Sequence, residues 1–289
     1  MNQVVPILVR TPGRSGSTLI MQILASSNKI AFPREYPFEV RHLCYLTRAA
    51  QVLSRPFDPQ AAQDLPFEWN PGFFFNQNPT FLGPIPSRHD SFDEEAYFGF
   101  LHNGLLKGFE NQLLADNEEV RFYAEKVTAN DIIAKLERST RCKVIYGVRD
   151  PRDQMVSIMN FNKRRGNLGF GWQAKDTELS FAEKFAKRLK PYLRKIISLL
   201  EQPNPDAYVL RYEKLITSQE EEVSKLSSWL GVSLDTSFVE SNKADVLQKH
   251  STSTDPEASV AKWKKDLSQE AVLIFEKHLS DELAYLQLS

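Results

Sequence analysis

Short apolar runs alternate with longer segments of helical periodicity along this chain of 289 residues. The runs at residues 4–10, 121–125, 143–148 and 207–211 have the length and pattern of buried strands. Between them, apolar residues recur every three or four positions, which predicts helices. The alternation favours an α/β domain of three layers, in which helices flank a central parallel β-sheet.

The boundaries of the predicted elements follow from the same pattern. A short fifth strand is predicted at 29–32, and helices are predicted at 15–26, 36–53, 93–116, 132–138, 151–164 and 178–201, with two more ending near Gly231 and starting near Ser268. Pro151 suits the first turn of its helix. Thr217 or Ser218, each followed by Glu three residues later, offers a capping box for the helix that ends near Gly231.

Residues 56–91 interrupt this order. They contain seven prolines among many aromatic residues, a density that excludes long regular elements. The aromatic side chains could line an acceptor pocket, form a lid or pack as a small core beneath a loop. Because the sequence shows no repeat and no low-complexity linker, we predict one domain over 1–289 with an insertion at about 56–91.

Composition narrows the classes of function. A net charge of −1 provides no overall field for nucleic acid or an anionic membrane, so anion binding must come from local clusters. One cluster, residues 149–165, holds five cationic and two acidic side chains. With two cysteines, no stretch of about 18 apolar residues and no signal-peptide pattern, we predict a cytoplasmic protein without disulfides, membrane span or metal site.

Two segments with the pattern strand, tight turn, helix carry the candidate chemistry. The first turn is Thr11-Pro12-Gly13-Arg14-Ser15-Gly16-Ser17-Thr18, and the second is Arg149-Asp150-Pro151-Arg152-Asp153, with Ser157 in the helix that follows. Such turns present backbone N–H groups to an anion at a helix N-terminus. Both follow strands, and the carboxyl ends of parallel strands border one crevice. The pair therefore predicts a ligand with two separated phosphates.

The first turn departs from the loop of nucleotide kinases. That loop requires Gly-x-x-x-x-Gly-Lys-Ser/Thr, whereas Thr11 stands in place of the first Gly and Ser17 in place of the Lys. The sequence also offers no convincing acidic strand end to hold Mg²⁺. A P-loop kinase-like phosphotransferase is therefore an alternative, as is a nucleotide-binding protein without catalysis.

The same residues resemble the PAPS-dependent sulfotransferases. Arg14-Ser15-Gly16-Ser17-Thr18-Leu19 resembles their 5′-phosphosulfate-binding loop in the form typical of the tyrosylprotein and bacterial branches. Residues 148–153 with Ser157 resemble the 3′-phosphate-binding segment. Residues 210–215 and 261–264 resemble two further segments of the family, so the resemblance extends from residue 4 to about 267.

The resemblance implies a P-loop-like fold and an activity of the EC 2.8.2 type. PAPS (3′-phosphoadenosine 5′-phosphosulfate) would be the co-substrate and PAP the product, with no metal required. The implied cofactor-binding residues are Arg14, Ser15, Gly16, Ser17, Thr18, Arg149, Ser157, Tyr212, Lys262 and Trp263.

The implied catalytic residues are Arg14, Glu35 and Lys126. Arg14 would stabilise the leaving phosphate, and Lys126 would neutralise the sulfuryl oxygens, since Glu125-Lys126 resembles a segment of carbohydrate sulfotransferases in which Ala129 replaces a Pro. Glu35 is the first choice for the general base because the tyrosylprotein-like branch carries a Glu after its second strand. The alternatives are Glu39, Glu125, His42 and His102. Phenolic, carbohydrate, lipid and peptide acceptors, with a hydroxyl or amine group, all remain open.

Overall fold

The computed structural model describes residues 4–54, 93–127, 131–242 and 257–288. Five parallel strands form the central sheet in the order β2-β3-β1-β4-β5. They are β1 (Val5–Arg10), β2 (Ile30–Ala31), β3 (Phe122–Val127), β4 (Lys143–Val148) and β5 (Ala207–Arg211). The arrangement confirms the predicted α/β fold with a parallel sheet.

Helices connect the strands. They are α1 (Ser17–Leu24), α2 (His42–Ser54), α3 (Glu94–Asp116), α4 (Asp131–Ser139), α5 (Pro151–Arg165), α6 (Glu178–Glu201), α7 (Tyr212–Thr217), α8 (Gln219–Leu230), α9 (Ser237–Ser241), α10 (Trp263–Asp266) and α11 (Gln269–Tyr285). The predicted insertion at 56–91 lies outside the described residues, so the single-domain organisation stays a prediction.

The hydrophobic core is divided between the two faces of the sheet. Successive side chains of a strand point to opposite faces. In β1, Leu8 joins one buried cluster, which includes Phe181 and Phe275 from the long helices α6 and α11. Ile7 and Val9 join the other cluster, with Ile20 of α1. Burial on both faces explains why the strands are continuous apolar runs, and it fixes the three layers.

One predicted helix start and one predicted helix cap are wrong. The helix predicted from residue 36 begins at His42, because Phe38 adopts a left-handed φ of 61° and is buried. Its ring packs edge-on against those of Phe32 and Phe238. The side chain of Ser218 precedes α8 but makes no capping hydrogen bond. A capping box forms instead at the start of α6, between Thr177 and Ser180.

In the part of the chain that the structure describes, no helix is long and apolar enough to cross a membrane. Over the same residues, no group of His, Cys, Asp and Glu side chains is arranged to hold a metal ion. The cytoplasmic location stays a prediction.

Candidate active site

The first anion turn lies between β1 and α1. Arg14 and Gly16 have positive φ angles of 66° and 86°, and α1 begins at the next residue, Ser17. A Cβ on Gly16 would lie 2.6 Å from the ring of Tyr212, so close packing as well as backbone conformation requires glycine here. The hydroxyl of Ser15 donates to the carbonyl of Pro12 inside the turn. The first backbone N–H groups of α1 are therefore held in position to face an anion.

Arg14 joins the two anion turns. Its Nε lies 3.1 Å from the hydroxyl oxygen of Ser157, two turns into α5, and its guanidinium lies 4.4 Å from the ring centre of Phe161. Burial, with the charge of Arg149 as the second cause, lowers the pKa of Arg14 to about 10. The group still carries its charge at neutral pH, in surroundings where an anion would be bound strongly.

Arg149 lies at the end of β4 and is buried. It donates one hydrogen bond to the carbonyl of Arg14 (3.0 Å) and one to the carbonyl of Ser259 (2.7 Å). Its guanidinium lies 4.3 Å from the ring centre of Tyr212, whose hydroxyl is 2.9 Å from that of Ser259. The buried Nε of Arg149 has no acceptor among the described residues, which is consistent with a donor reserved for a ligand.

The other polar residues of the second turn hold the C-terminal segment. Arg152 pairs with Asp150 at 2.7 Å, donates to the carbonyl of Leu288 and stacks 3.7 Å from the ring centre of Trp263. Asp153 accepts hydrogen bonds from the backbone N–H groups of Ala261 (2.7 Å) and Trp263 (2.9 Å). The turn is thus an anchor for residues 261–288 as well as a candidate phosphate site.

Lys262 and Trp263 are accordingly placed beside the start of α5. Trp263 contacts Arg152, and the ammonium of Lys262 lies 3.5 Å from the carboxylate of Asp266 one turn later. Nothing in this placement tests their predicted contacts with the cofactor, which stay predictions.

Lys126 connects the end of β3 with the first anion turn. Its ammonium lies 2.9 Å from a carboxylate oxygen of Glu39, 3.4 Å from the hydroxyl of Thr18 and 3.5 Å from the carbonyl of Pro37. Burial lowers the pKa of Lys126, and the hydrogen bond with Glu39 opposes that shift. The structure thereby brings together two predicted site residues, Thr18 and Lys126, with Glu39, the second choice for the general base.

Three of the candidate bases have structural partners. Glu125 is fully buried and accepts hydrogen bonds from the first backbone N–H groups of α2, at Leu43 (2.6 Å) and Cys44 (3.1 Å), and burial raises its pKa. The ring of His42 lies 2.8 Å from the hydroxyl of Tyr123.

His102 is buried between α2 and α3. Its Nε2 lies 3.0 Å from the hydroxyl of Thr47, and burial lowers its pKa to about 4. Glu35, the first choice, is exposed on the loop before α2, whereas Glu39 contacts Lys126 directly.

Several residues of the site were missed in the sequence. Phe161 and Arg165 lie one and two turns beyond Ser157 on the same face of α5, and the guanidinium of Arg165 is 4.6 Å from the ring centre of Phe161. The spacing of four residues was a signal that could have identified them. Ser259 and Phe170 could not be identified from the sequence. The carbonyl of Ser259 accepts a hydrogen bond from Arg149, and the ring of Phe170 lies where a side chain at Gly13 would be. Both contacts depend on tertiary packing.

The family profile described as the sulfotransferase domain matches residues 5–286. The chain belongs to the sulfotransferase family. This match confirms the predicted family and its sulfuryl-transfer chemistry, and nothing in it supports the kinase alternative.

Solved structures of similar fold are themselves sulfotransferases. The sulfotransferase domain of the Synechococcus PCC 7002 olefin synthase is 16% identical with a TM-score of 0.52, over 96% of this chain and 95% of that one. The sulfotransferase domain from the curacin biosynthetic pathway is 20% identical with a TM-score of 0.50, over 97% and 99%.

Mouse sulfotransferase SULT7A1, solved with PAP, is 12% identical with a TM-score of 0.52, over 100% of this chain and 88% of that one. These likenesses establish the shared fold. A search of curated protein sequences finds no significant match.

Proposed function

We propose that this sulfotransferase moves a sulfuryl group from PAPS to a hydroxyl or amine of an acceptor and releases PAP. The observation that supports this cofactor best is the convergence of the two anion turns. Arg14 reaches from the first turn to Ser157 of the second segment, and Arg149 donates back to the carbonyl of Arg14. Two phosphate subsites side by side fit a nucleotide with separate 5′- and 3′-phosphates, and the mouse relative was solved with PAP.

The first subsite would take the 5′-phosphosulfate. During in-line transfer the acceptor oxygen forms a bond to sulfur while the bond from sulfur to the bridging oxygen breaks, and negative charge grows on the departing phosphate. The N-terminal amides of α1 and the guanidinium of Arg14 are positioned to stabilise that charge. The second subsite, with Arg149 and Ser157, would take the 3′-phosphate by charge-assisted hydrogen bonds.

The pair formed by Lys126 and Glu39 would complete the reaction centre. Lys126 contacts Thr18 at the start of α1, so its charge lies beside the place of the transferred group. Glu39 is a half-exposed carboxylate that lies 2.9 Å from that lysine, with the guanidinium of Arg41 3.8 Å from its other oxygen. We therefore favour Glu39 as the base that takes the acceptor proton, with Glu35 as the alternative.

Matched glutamine variants separate these two bases. Glu39→Gln should lower kcat by about 10²–10⁴, whereas Glu35→Gln should retain most of the activity. The opposite ranking would assign the base to Glu35. Equal activity of both variants and the wild type would exclude a carboxylate base on this loop.

The cofactor assignment is tested by calorimetric titration with PAP, AMP and ATP–Mg²⁺. We expect tight binding of PAP alone, and a large loss of affinity in Arg149→Ala. Because Arg149 also joins two backbone segments, Arg149→Lys and thermal melting of each variant show whether lost binding follows from lost folding. Preference for ATP–Mg²⁺ would indicate a kinase. PAP binding without sulfuryl transfer to any acceptor would indicate a non-catalytic nucleotide-binding protein.

A further inference from the structure

Two guanidinium groups contact the ring of Phe161. That of Arg14 lies 4.4 Å from the ring centre, and that of Arg165, one helical turn beyond Phe161, lies 4.6 Å from it. Phe161 is itself buried and packs edge-on against Phe170, with ring centres 5.6 Å apart. The aromatic ring thus fixes a second cation beside the residue that faces the reacting group.

The charge of Arg165 is unfavourable for the free protein. Burial lowers the pKa of Arg14 most, the charge of Arg149 is the second cause, and the charge of Arg165 acts in the same direction. No carboxylate in the described part of the chain forms an ion pair with Arg165. The helix dipole explains why basic residues occupy the last turn of α5, but it does not explain why this one lies against Phe161. A bound anion in contact with these cations would relieve their repulsion.

The position of Arg165 favours an anion on the acceptor over a phosphate of the cofactor. Arg165 is eight residues beyond Ser157, which corresponds to about 12 Å along the helix axis. Ser157, which is assigned to the 3′-phosphate, is contacted directly by Arg14, whose Nε lies 3.1 Å from its hydroxyl oxygen. Arg165 is exposed, whereas Arg149 of the 3′-phosphate subsite is buried.

We propose that Arg165 is a specificity-determining residue that binds a carboxylate, phosphate or sulfate group of the acceptor. The acceptor would then carry an anion close to the hydroxyl or amine that receives the sulfuryl group. This inference rests on the proposed function, because it requires Arg14 to face the transferred group.

The test uses acceptors that differ only in charge. One set is 4-hydroxyphenylacetate, 4-ethylphenol and tyramine, and a second set is 6-hydroxyhexanoate, 1-hexanol and 6-amino-1-hexanol. Each compound is titrated into the PAP complex and is also assayed with PAPS. We expect the anionic member of at least one set to bind the PAP complex roughly 10-fold more tightly than the neutral one. Arg165→Ala should abolish this preference, Arg165→Lys should retain part of it, and Arg165→Glu should transfer it to the cation.

Lys163→Ala is the matched control. Lys163 is also an exposed cation of the last turn of α5, but it lines a surface cavity of about 450 Å³ with Met159 and Trp172, away from Phe161. Lys163→Ala removes the same net charge as Arg165→Ala, but it should leave the preference for the anionic acceptor unchanged.

Three results would overturn the proposal. They are equal or stronger binding of the neutral or cationic members by the wild type, an equal effect of the two alanine variants, and a loss of PAP affinity in Arg165→Ala that matches its loss of acceptor binding. The last result would place Arg165 on the cofactor. Failure of the wild type to bind PAP would instead contradict the proposed function itself.

Discussion

The two ends of helix α5 use arginine in opposite ways. At its N-terminal end, Arg152 is buried against Asp150, with a further hydrogen bond to a backbone carbonyl and the ring of Trp263 on its face. At its C-terminal end, Arg165 is exposed and lies with Arg14 against Phe161. The first guanidinium has a carboxylate of its own chain, and the second has other cations nearby.

The difference separates a charge that stabilises the fold from one that serves a ligand. A buried ion pair with satisfied hydrogen bonds is intact without any other molecule, so Arg152 and Asp153 fix the C-terminal segment before the cofactor arrives. Guanidinium groups gathered around Arg14 are costly in the free protein, because like charges repel in a partly buried site. Bound anions would offset that cost.

The largest expected effect is on stability, at the N-terminal end of α5. Arg152→Ala should lower the free energy of unfolding by about 3–5 kcal/mol, because it leaves the buried carboxylate of Asp150 without its counter-ion. Urea unfolding measures this loss. Lys187→Ala, which removes an exposed pair with Glu183 on α6, is the control and should change the free energy of unfolding far less. Similar losses in both variants would contradict the structural role given to Arg152.

The next effect is on catalysis. Arg14→Ala should lower kcat by about 10²–10³, since a donor aimed at the developing charge on the phosphate is lost, while the melting temperature changes little. Arg14→Lys keeps the charge without the fork of donors and should be intermediate. Turnover of Arg14→Ala close to that of the wild type would remove Arg14 from the mechanism.

A smaller effect concerns His102, which is buried on α3 beside the hydroxyl of Thr47. Burial lowers the pKa of His102 to about 4 in the folded protein from 6.5 in the unfolded chain, so the unfolded chain binds more protons between these values. The stabilising contribution is complete above about pH 6.5 and is lost as the pH falls towards 4, by up to about 3 kcal/mol. The difference in the free energy of unfolding between pH 7.5 and pH 5, measured with urea, should be smaller for His102→Gln than for the wild type. An unchanged difference would mean that His102 does not stay neutral.

The smallest effect is expected in the middle of α5. Ser157→Ala removes the hydroxyl that accepts from Arg14 and is assigned to the 3′-phosphate, which should weaken PAP binding by about 1 kcal/mol, or roughly fivefold. Calorimetry measures the change. Ser228→Ala removes a hydroxyl that bonds only within α8, so its PAP affinity should equal that of the wild type. Equal affinities in both variants would exclude Ser157 from the subsite.

The boundaries of most elements and both anion turns were predictable from local sequence. Strands buried on both faces are continuous apolar runs, and Pro151 and the glycines of the first turn have conformational requirements that are visible without a structure. The family resemblance of residues 14–19 depended on the same short segments. The helical periodicity that predicted a helix from residue 36 failed at its start, because Phe38 has a left-handed conformation in which its ring is buried.

Only the tertiary structure decided how the charged side chains are shared between folding and binding. In the sequence, Arg149 and Arg152 are three residues apart, and only the family resemblance separates them. In the structure, Arg149 contacts the first turn and its buried Nε has no acceptor among the described residues, whereas Arg152 pairs with Asp150. Glu125 likewise became the cap of α2, and Glu39 came to contact Lys126 across 87 positions of the chain. Contacts between residues far apart in sequence depend on how strands and helices pack, and that packing leaves no periodic signal along the chain.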